Sequence, residues 1–286
     1  MKPYLDKKLL SKNVKLVPTR NGYGEGLVEA GKKDKNVVAL CADLTESTRT
    51  DYFRKIFPNR FVEIGVAEQL LATVAAGMAT YGKIPFIASY AAFSPGRNWE
   101  QLRTTAALNN VPVKIGGMHA GISVGPDGAT HQALEDIATM RSIPNMTVLA
   151  PADAIESKKA TVAAAKTSGP VYMRFGREGV PVITTPKTPF KIGRAEVFRE
   201  GKDVAVIACG SLVYEALIAA EKLKKDVDVM VVDNHTIKPI DEKTIIKAAK
   251  QTGAVVTAEE HQIMGGMGSA VMEVLGEHAP VPTERV

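Results

Sequence analysis

Short apolar, β-branched runs alternate with longer segments of helical period along most of this chain. The runs VVALCAD (37–43), FVEIG (61–65), IPFIASY (84–90), VPVKIGG (111–117), MTVLAP (146–151) and VYMRFG (171–176) predict buried strands. They are near-continuously apolar, as strands covered on both faces must be, rather than alternating. Between them, 22–33, 68–81, 97–109 and 153–167 predict helices. Such alternation predicts an α/β fold with a mainly parallel sheet and helices on both faces. The pattern breaks at PVITTPKTPF (181–190), whose three prolines and three threonines suit neither a helix interior nor a central strand and mark a linker. Beyond it the alternation restarts: VAVIACG, a helix from Leu212 to Lys224, VDVMVVD, a helix from Asp241 to Gln251, GAVVTAEE, and a helix after Gly268. The expected organisation is therefore a larger domain at 1–180, a linker at 181–190 and a smaller α/β domain at 191–286.

Composition adds limits to this picture. With 286 residues, 45% of them apolar and 23% charged, the chain is long enough for two modest cores. No apolar run approaches the ~18 residues of a membrane span, and MKPYLDKKLL lacks the apolar stretch of a secretory signal, so a cytoplasmic protein without membrane contact is expected. Cys41 and Cys209 each close an apolar run, which predicts buried, reduced thiols instead of a disulfide or metal pair. A formal charge of +5 and a pI near 9.0 raise nucleic acid as a partner. The lysines are spread along the helices, however, with no basic run interleaved with aromatics, so a solvated surface that draws anionic substrates is the expectation.

The chemistry-bearing residues fall at predicted strand ends, where open α/β sheets bind ligands. IGVAEQ (64–69) places Glu68 where a strand gives way to the helical run LLATVAAGMA. SYAAF (89–93) supplies Tyr90 and Phe93, and GPDGATHQ (125–132) supplies Asp127 and His131, with His119 shortly before. Taken singly, each has a plain structural explanation. Glu68 suits the first turn of a helix by the macrodipole, the aromatics suit a core, and Asp127 suits an Asx turn. The glycines at 22, 24 and 26 follow no strand of a βαβ unit and read as a helix start rather than a dinucleotide loop.

In order and spacing, these segments resemble the transketolase family of thiamine-diphosphate enzymes, specifically the C-terminal half, from about Pro18 to the last residue. The resemblance implies a pyrimidine-binding domain followed by the smaller transketolase C-terminal domain. The implied activity is transfer of a two-carbon ketol unit from a ketose phosphate to an aldose phosphate, as in the pentose phosphate pathway. It assigns Glu68 to the cofactor's pyrimidine, where a carboxyl in an apolar pocket can share a proton, and Tyr90 and Phe93 to stacking on that ring. His119, Asp127 and His131 fall on the substrate-contacting set, the imidazoles being suited to proton transfer near neutrality. Arg20, Ser47 and Arg174 fall on phosphate-contacting positions, two guanidiniums and a hydroxyl. Asp43, at a strand end, is expected to approach the cleft in a role the resemblance does not define.

Two departures from the family pattern stand out: Tyr90 replaces a phenylalanine, and SPGRNWEQLR is one residue longer, which shifts Ser94 to Arg97. In full-length members a GDG motif followed by Asn holds Mg²⁺ and the diphosphate, and these 286 residues contain no GDG. The expectation is a chain that binds the pyrimidine half alone, has no metal ligands of its own, and pairs with a separate N-terminal transketolase subunit in a heterotetramer. Two copies of this chain would form its central two-fold pair, with LLATVAAGMATYG as one face. A C-terminus shortened after ERV is also expected. Other thiamine-diphosphate readings are a deoxyxylulose-phosphate synthase half or the β subunit of a 2-oxoacid dehydrogenase. A catalytically silent structural partner is the reading from outside enzymology.

Overall fold

The computed structural model describes residues 1–286. The first region runs β1 (Leu16–Pro18), α1 (Thr19–Lys33), β2 (Val37–Cys41), α2 (Asp51–Ile56), β3 (Phe61–Glu63), α3 (Glu68–Thr80), β4 (Ile84–Tyr90) and α4 (Trp99–Gln101). A π-helical stretch over Leu102–Ala107 follows, and then β5 (Lys114–Met118), α5 (Asp136–Arg141), β6 (Thr147–Leu149), α6 (Ala154–Ala164), β7 (Val171–Arg174) and β8 (Gly179–Pro181). The second region contains β9 (Glu196–Arg199), β10 (Val204–Ala208), α7 (Leu212–Leu223), β11 (Val229–Asp233), β12 (Thr236–Lys238), α8 (Glu242–Thr252), β13 (Val255–Ala258), α9 (Met267–His278) and β14 (Thr283–Arg285). No helix is long and apolar enough to cross a membrane.

The larger sheet has the order β12-β6-β7-β5-β4-β2-β3 and the smaller one β14-β13-β10-β11-β9. All neighbours are parallel except at one edge of each, where β12 lies antiparallel to β6 and β9 antiparallel to β11. Every residue of β2 and β5 is buried, which is why their sequences do not alternate. After β3 the chain crosses back over β2 to place β4 on its other side. That reversal opens a crevice at the carboxyl ends of β2 and β4, the position where such sheets bind ligands.

Local chemistry explains several boundaries. Asp153 caps α6 by accepting from the Glu156 amide, and Asp241 caps α8 by accepting from the Thr244 amide. The helix α8 closes on Gly253 in the left-handed region, φ 73°. The glycines at 22 and 26 lie inside α1, where a Cβ would meet the Ala154 carbonyl and Ser157, or Thr161 and Lys158, so they let α1 and α6 pack closely. Lys114 departs from the surface-lysine expectation: it is fully buried, donates to the Thr167 and Gly169 carbonyls at 2.6 Å each, and burial pushes it down to about 7.

The segment 181–190 is not a free tether. Gly179–Pro181 pairs with Leu16–Pro18, and Ile183 and Thr184 are buried. The Asp153 carboxylate accepts from the Ile183 amide at 2.8 Å, the Thr184 amide at 2.6 Å and the Thr184 hydroxyl at 2.8 Å. Beyond it, the second region returns β12 to the first region's sheet, so the two share a strand edge.

Where α6 meets β11, Glu156 and Asp233 are both buried. Burial pushes Glu156 up to about 7 and Asp233 well above the carboxylate range, and in Asp233 the facing Glu156 adds to the effect. Asp153, Glu196 and Lys159 also bear on the pair. A carboxyl whose pKa rises on folding keeps a proton that the unfolded chain releases, so its contribution to stability falls as pH rises from 4.5 to about 7. Glu156→Gln should flatten this decline in urea unfolding midpoints taken across the window. An unchanged slope would show that Glu156 titrates alike in both states.

Candidate active site

The site residues gather at the carboxyl edge of the larger sheet. At the ends of β2 and β3, the Glu63 carboxylate ties two loops together. Its Oε1 accepts from the Asp43 amide at 2.7 Å and the Gly65 amide at 3.1 Å, and its Oε2 accepts from the Thr45 hydroxyl at 2.9 Å. Asp43 itself, at φ 57°, is exposed, and no hydrogen bond or ion pair holds its carboxylate.

Glu68 opens α3 and is only 2% exposed. The Ser89 hydroxyl donates to its Oε1 at 3.0 Å, and the Asn98 side chain donates to its main-chain carbonyl at 3.0 Å and to Ser94 Oγ at 3.1 Å. These contacts fix the carboxyl group and the turn that precedes it. Its second oxygen, Oε2, is buried without a partner. An unsatisfied buried carboxylate oxygen is costly, so this atom marks a place built to receive a donor.

The aromatic residues surround this edge. The Phe93 ring lies 6.4 Å from Tyr90 at 25°. One face of Tyr90 is stacked on His119, with centroids 4.1 Å apart and planes at 20°. His131 meets Phe93 edge-on at 5.2 Å and Tyr90 at 5.7 Å. Thr130 Oγ1 lies 2.9 Å from His131 Nδ1 and orients that ring.

His119 differs from the expectation of an imidazole titrating near neutrality. It is 2% exposed, and burial together with the Arg20 charge holds its pKa down to about 4. Its Nε2 lies 2.8 Å from Arg20 Nη1. A guanidinium can only donate, so Nε2 accepts and the ring proton sits on Nδ1. That proton faces Asp127 Oδ2 across 3.5 Å, and neither atom has a hydrogen-bond partner. His119 is thus a neutral, oriented donor.

Arg20 reaches Ser47 through its main-chain carbonyl at 2.9 Å, not its hydroxyl, and Arg20 Nε is buried and unpaired. Burial, then Arg49 and Arg177, lower the Arg20 pKa from its ordinary value. Three guanidiniums therefore converge on one side of the site, as suits an anion. Arg49 donates to Asn21 Oδ1 at 2.8 Å and Arg177 to the Val124 carbonyl at 2.9 Å.

Arg174 does not join them, contrary to the sequence expectation. Its Nε donates to both oxygens of buried Asp136, at 3.2 and 3.0 Å, and its Nη2 to the Glu260 carbonyl at 2.6 Å. Tyr172 donates to the same Asp136 at 2.7 Å, and the Asp136 and Glu260 carboxylates raise the Arg174 pKa above its ordinary value despite burial. The last residue of β7 is turned into the body of the protein, whereas Arg177, just past the strand end, bonds the Val124 carbonyl and pairs with Glu178, with its charge felt at Arg20. Sequence reasoning missed Arg177, Arg49, Ser89 and Asn98. For Arg177 the signal was its place beyond VYMR at a sheet edge already known to carry the site.

A surface cavity of about 1060 Å³ between α1, α6 and the stretch Pro186 to Ile192 contains none of these residues. Comparison with known proteins bears on the chemistry. Residues 15–182 match the family described as transketolase, pyrimidine binding domain, and residues 193–286 match transketolase, C-terminal domain. A Methanocaldococcus jannaschii protein described as a transketolase C-terminal section is 48% identical over 91% of this chain and 82% of its own length. Human transketolase is 39% identical over 91% of this chain but only 42% of its own length. A solved structure described as a split gene transketolase, inactive β4 tetramer, is 46% identical, with a TM-score of 0.88 over 94% of this chain and 89% of that one.

Proposed function

This chain belongs to the transketolase family, and from that premise we propose that it is the C-terminal subunit of a split, thiamine-diphosphate-dependent transketolase acting on sugar phosphates in the cytoplasm. The observation that carries the reading is the unpartnered Oε2 of buried Glu68 beside Tyr90, Phe93 and His119. An aminopyrimidine ring fits such a place, since it offers a proton-bearing ring nitrogen to a carboxylate and a flat face to the aromatics. Glu68, with Ser89 holding its other oxygen, and the rings of Phe93 and Tyr90 would hold that half of the cofactor. When bound, thiamine diphosphate supplies the carbon nucleophile that ketol transfer requires. The diphosphate and Mg²⁺ belong to the partner subunit in this reading.

The chain's own residues handle the sugar. His119 Nδ1–H donates to a substrate oxygen, and Asp127, facing it, accepts from a neighbouring hydroxyl. His131, anchored at Nδ1 by Thr130, keeps Nε2 for moving protons to and from the substrate oxygens. Arg20 and Arg177, with Arg49 behind them, receive the phosphate. Relatives that are themselves sections or subunits match this chain over most of their length, which supports a separate N-terminal partner and a central pair of these chains. The test is ketol transfer from xylulose phosphate to ribose phosphate by this chain co-expressed with an N-terminal subunit. Absence of transfer with any phosphorylated ketose would overturn the proposal.

A contrast among the arginines checks the substrate side. Arg20→Ala and Arg177→Ala should each raise KM for phosphorylated sugars about 10- to 100-fold, from loss of a charge-assisted contact of roughly 1.5–3 kcal/mol. Hydroxypyruvate, which has no phosphate, should be nearly unaffected. Arg174→Ala should instead destabilise the fold by about 3–5 kcal/mol, because Asp136 would be left buried without its cation, with only the Tyr172 hydroxyl to support it. Equal KM effects on both substrate types would remove Arg20 and Arg177 from phosphate recognition.

A further inference from the structure

The two glutamates that follow β13 have different tasks. Glu259 accepts from the Met267 and Gly268 amides at 2.7 and 2.8 Å and so closes the start of α9 within its own region. Glu260 faces the first region. Its Oε1 accepts from the Ser123 amide at 2.7 Å, its carbonyl accepts from Arg174, and its Oε2 lies 3.9 Å from Arg174 Nη1. The next residues continue the grip: His261 Nε2 accepts from the Ala138 amide at 3.3 Å, and the Gln262 amide donates to the Leu134 carbonyl at 2.8 Å. The fit at Glu260 is close enough to need glycine at 121, where φ is +88° and any Cβ would collide with the carboxylate.

Ser123 belongs to the turn Ile122–Asp127, which ends in the carboxylate facing His119. Apart from bonds within its own turns, the hydrogen bonds that hold this stretch are Ser123 to Glu260 and Val124 to Arg177. We propose that Glu260 is a positioning residue through which the smaller C-terminal region sets the placement of Asp127, and with it substrate binding. This rests on the transketolase reading for its kinetic consequence, but not for the loop it holds. Glu260 makes no hydrogen bond or ion pair with Asp127 or His119, so its effect passes through the main chain of Ser123.

Two measurements test it. In the isolated chain, Glu260→Ala should speed amide exchange across 121–130 by about tenfold or more, the scale of a lost bond to a charged acceptor. In the enzyme reconstituted with an N-terminal subunit, the same variant should raise KM for a ketose phosphate about tenfold with a smaller change in kcat. Glu260→Gln retains an acceptor for the Ser123 amide and should restore most of both. If Glu260→Ala does not fold, Ser123→Pro, which removes the donor, should give the same KM rise. Unchanged exchange and KM in these variants would overturn the proposal, as would failure of Glu260→Gln to rescue, which would assign Glu260 to the Arg174 ion pair alone. If the unmodified enzyme transfers no ketol units, the functional reading fails, while the exchange result still decides whether Glu260 holds the turn.

Discussion

Purified alone, the chain should show no ketol transfer, and addition of an N-terminal subunit, thiamine diphosphate and Mg²⁺ should restore it. Thiamine diphosphate has two ends to be held, a pyrimidine and a diphosphate. On the proposed reading Glu68, Tyr90 and Phe93 would hold the pyrimidine, but these 286 residues contain no GDG motif to hold a metal-bound diphosphate. A ligand gripped at one end lacks the positioning on which effective molarity depends. Exposed Val66, Leu70 and Tyr81, in and beside α3, offer apolar surface to an incoming chain. Light scattering on the restored complex should give a heterotetramer about a closed two-fold axis. Robust turnover by the chain alone would end the split-subunit proposal, and a fully active one-to-one heterodimer would end the two-fold arrangement.

Glu68→Gln should keep the fold and partner binding yet lower turnover by about 10²-fold or more, the scale for loss of a positioned acid/base group. The substitution is nearly isosteric, and an amide oxygen still accepts from Ser89. What it loses is the ability of the partnerless oxygen to accept and return a proton. Circular dichroism and assembly should therefore match the parent while kcat falls. Near-parental rates would reduce Glu68 to a helix-start residue favoured by the macrodipole.

Much of the architecture is legible along the chain because it is local. The run IPFIASY became β4 over Ile84–Tyr90, residue for residue, and the helix expected at 68–81 formed over Glu68–Thr80. A strand buried on both faces must be apolar throughout, and a helix must repeat every 3.6 residues, so each pattern reports its own backbone state. Sheet order fixes which strand ends adjoin, and Glu68, Tyr90, Phe93, His119 and Asp127 do meet at one edge. The partners of charged and polar groups were decided only by tertiary structure. Arg174 and Arg177 are three residues apart at the same strand end, yet one is consumed by Asp136 and the other bonds the Val124 carbonyl and adds its charge to that of Arg20. His119 is neutral because an arginine 99 positions away donates to it in a buried place. The threonines of 181–190 look like linker residues until Asp153 binds Thr184, and β12 looks like part of the second domain until it pairs with β6. Periodicity constrains the backbone a few residues at a time. The protonation and hydrogen bonding of a side chain depend on whichever groups the whole chain brings within about 4 Å of it.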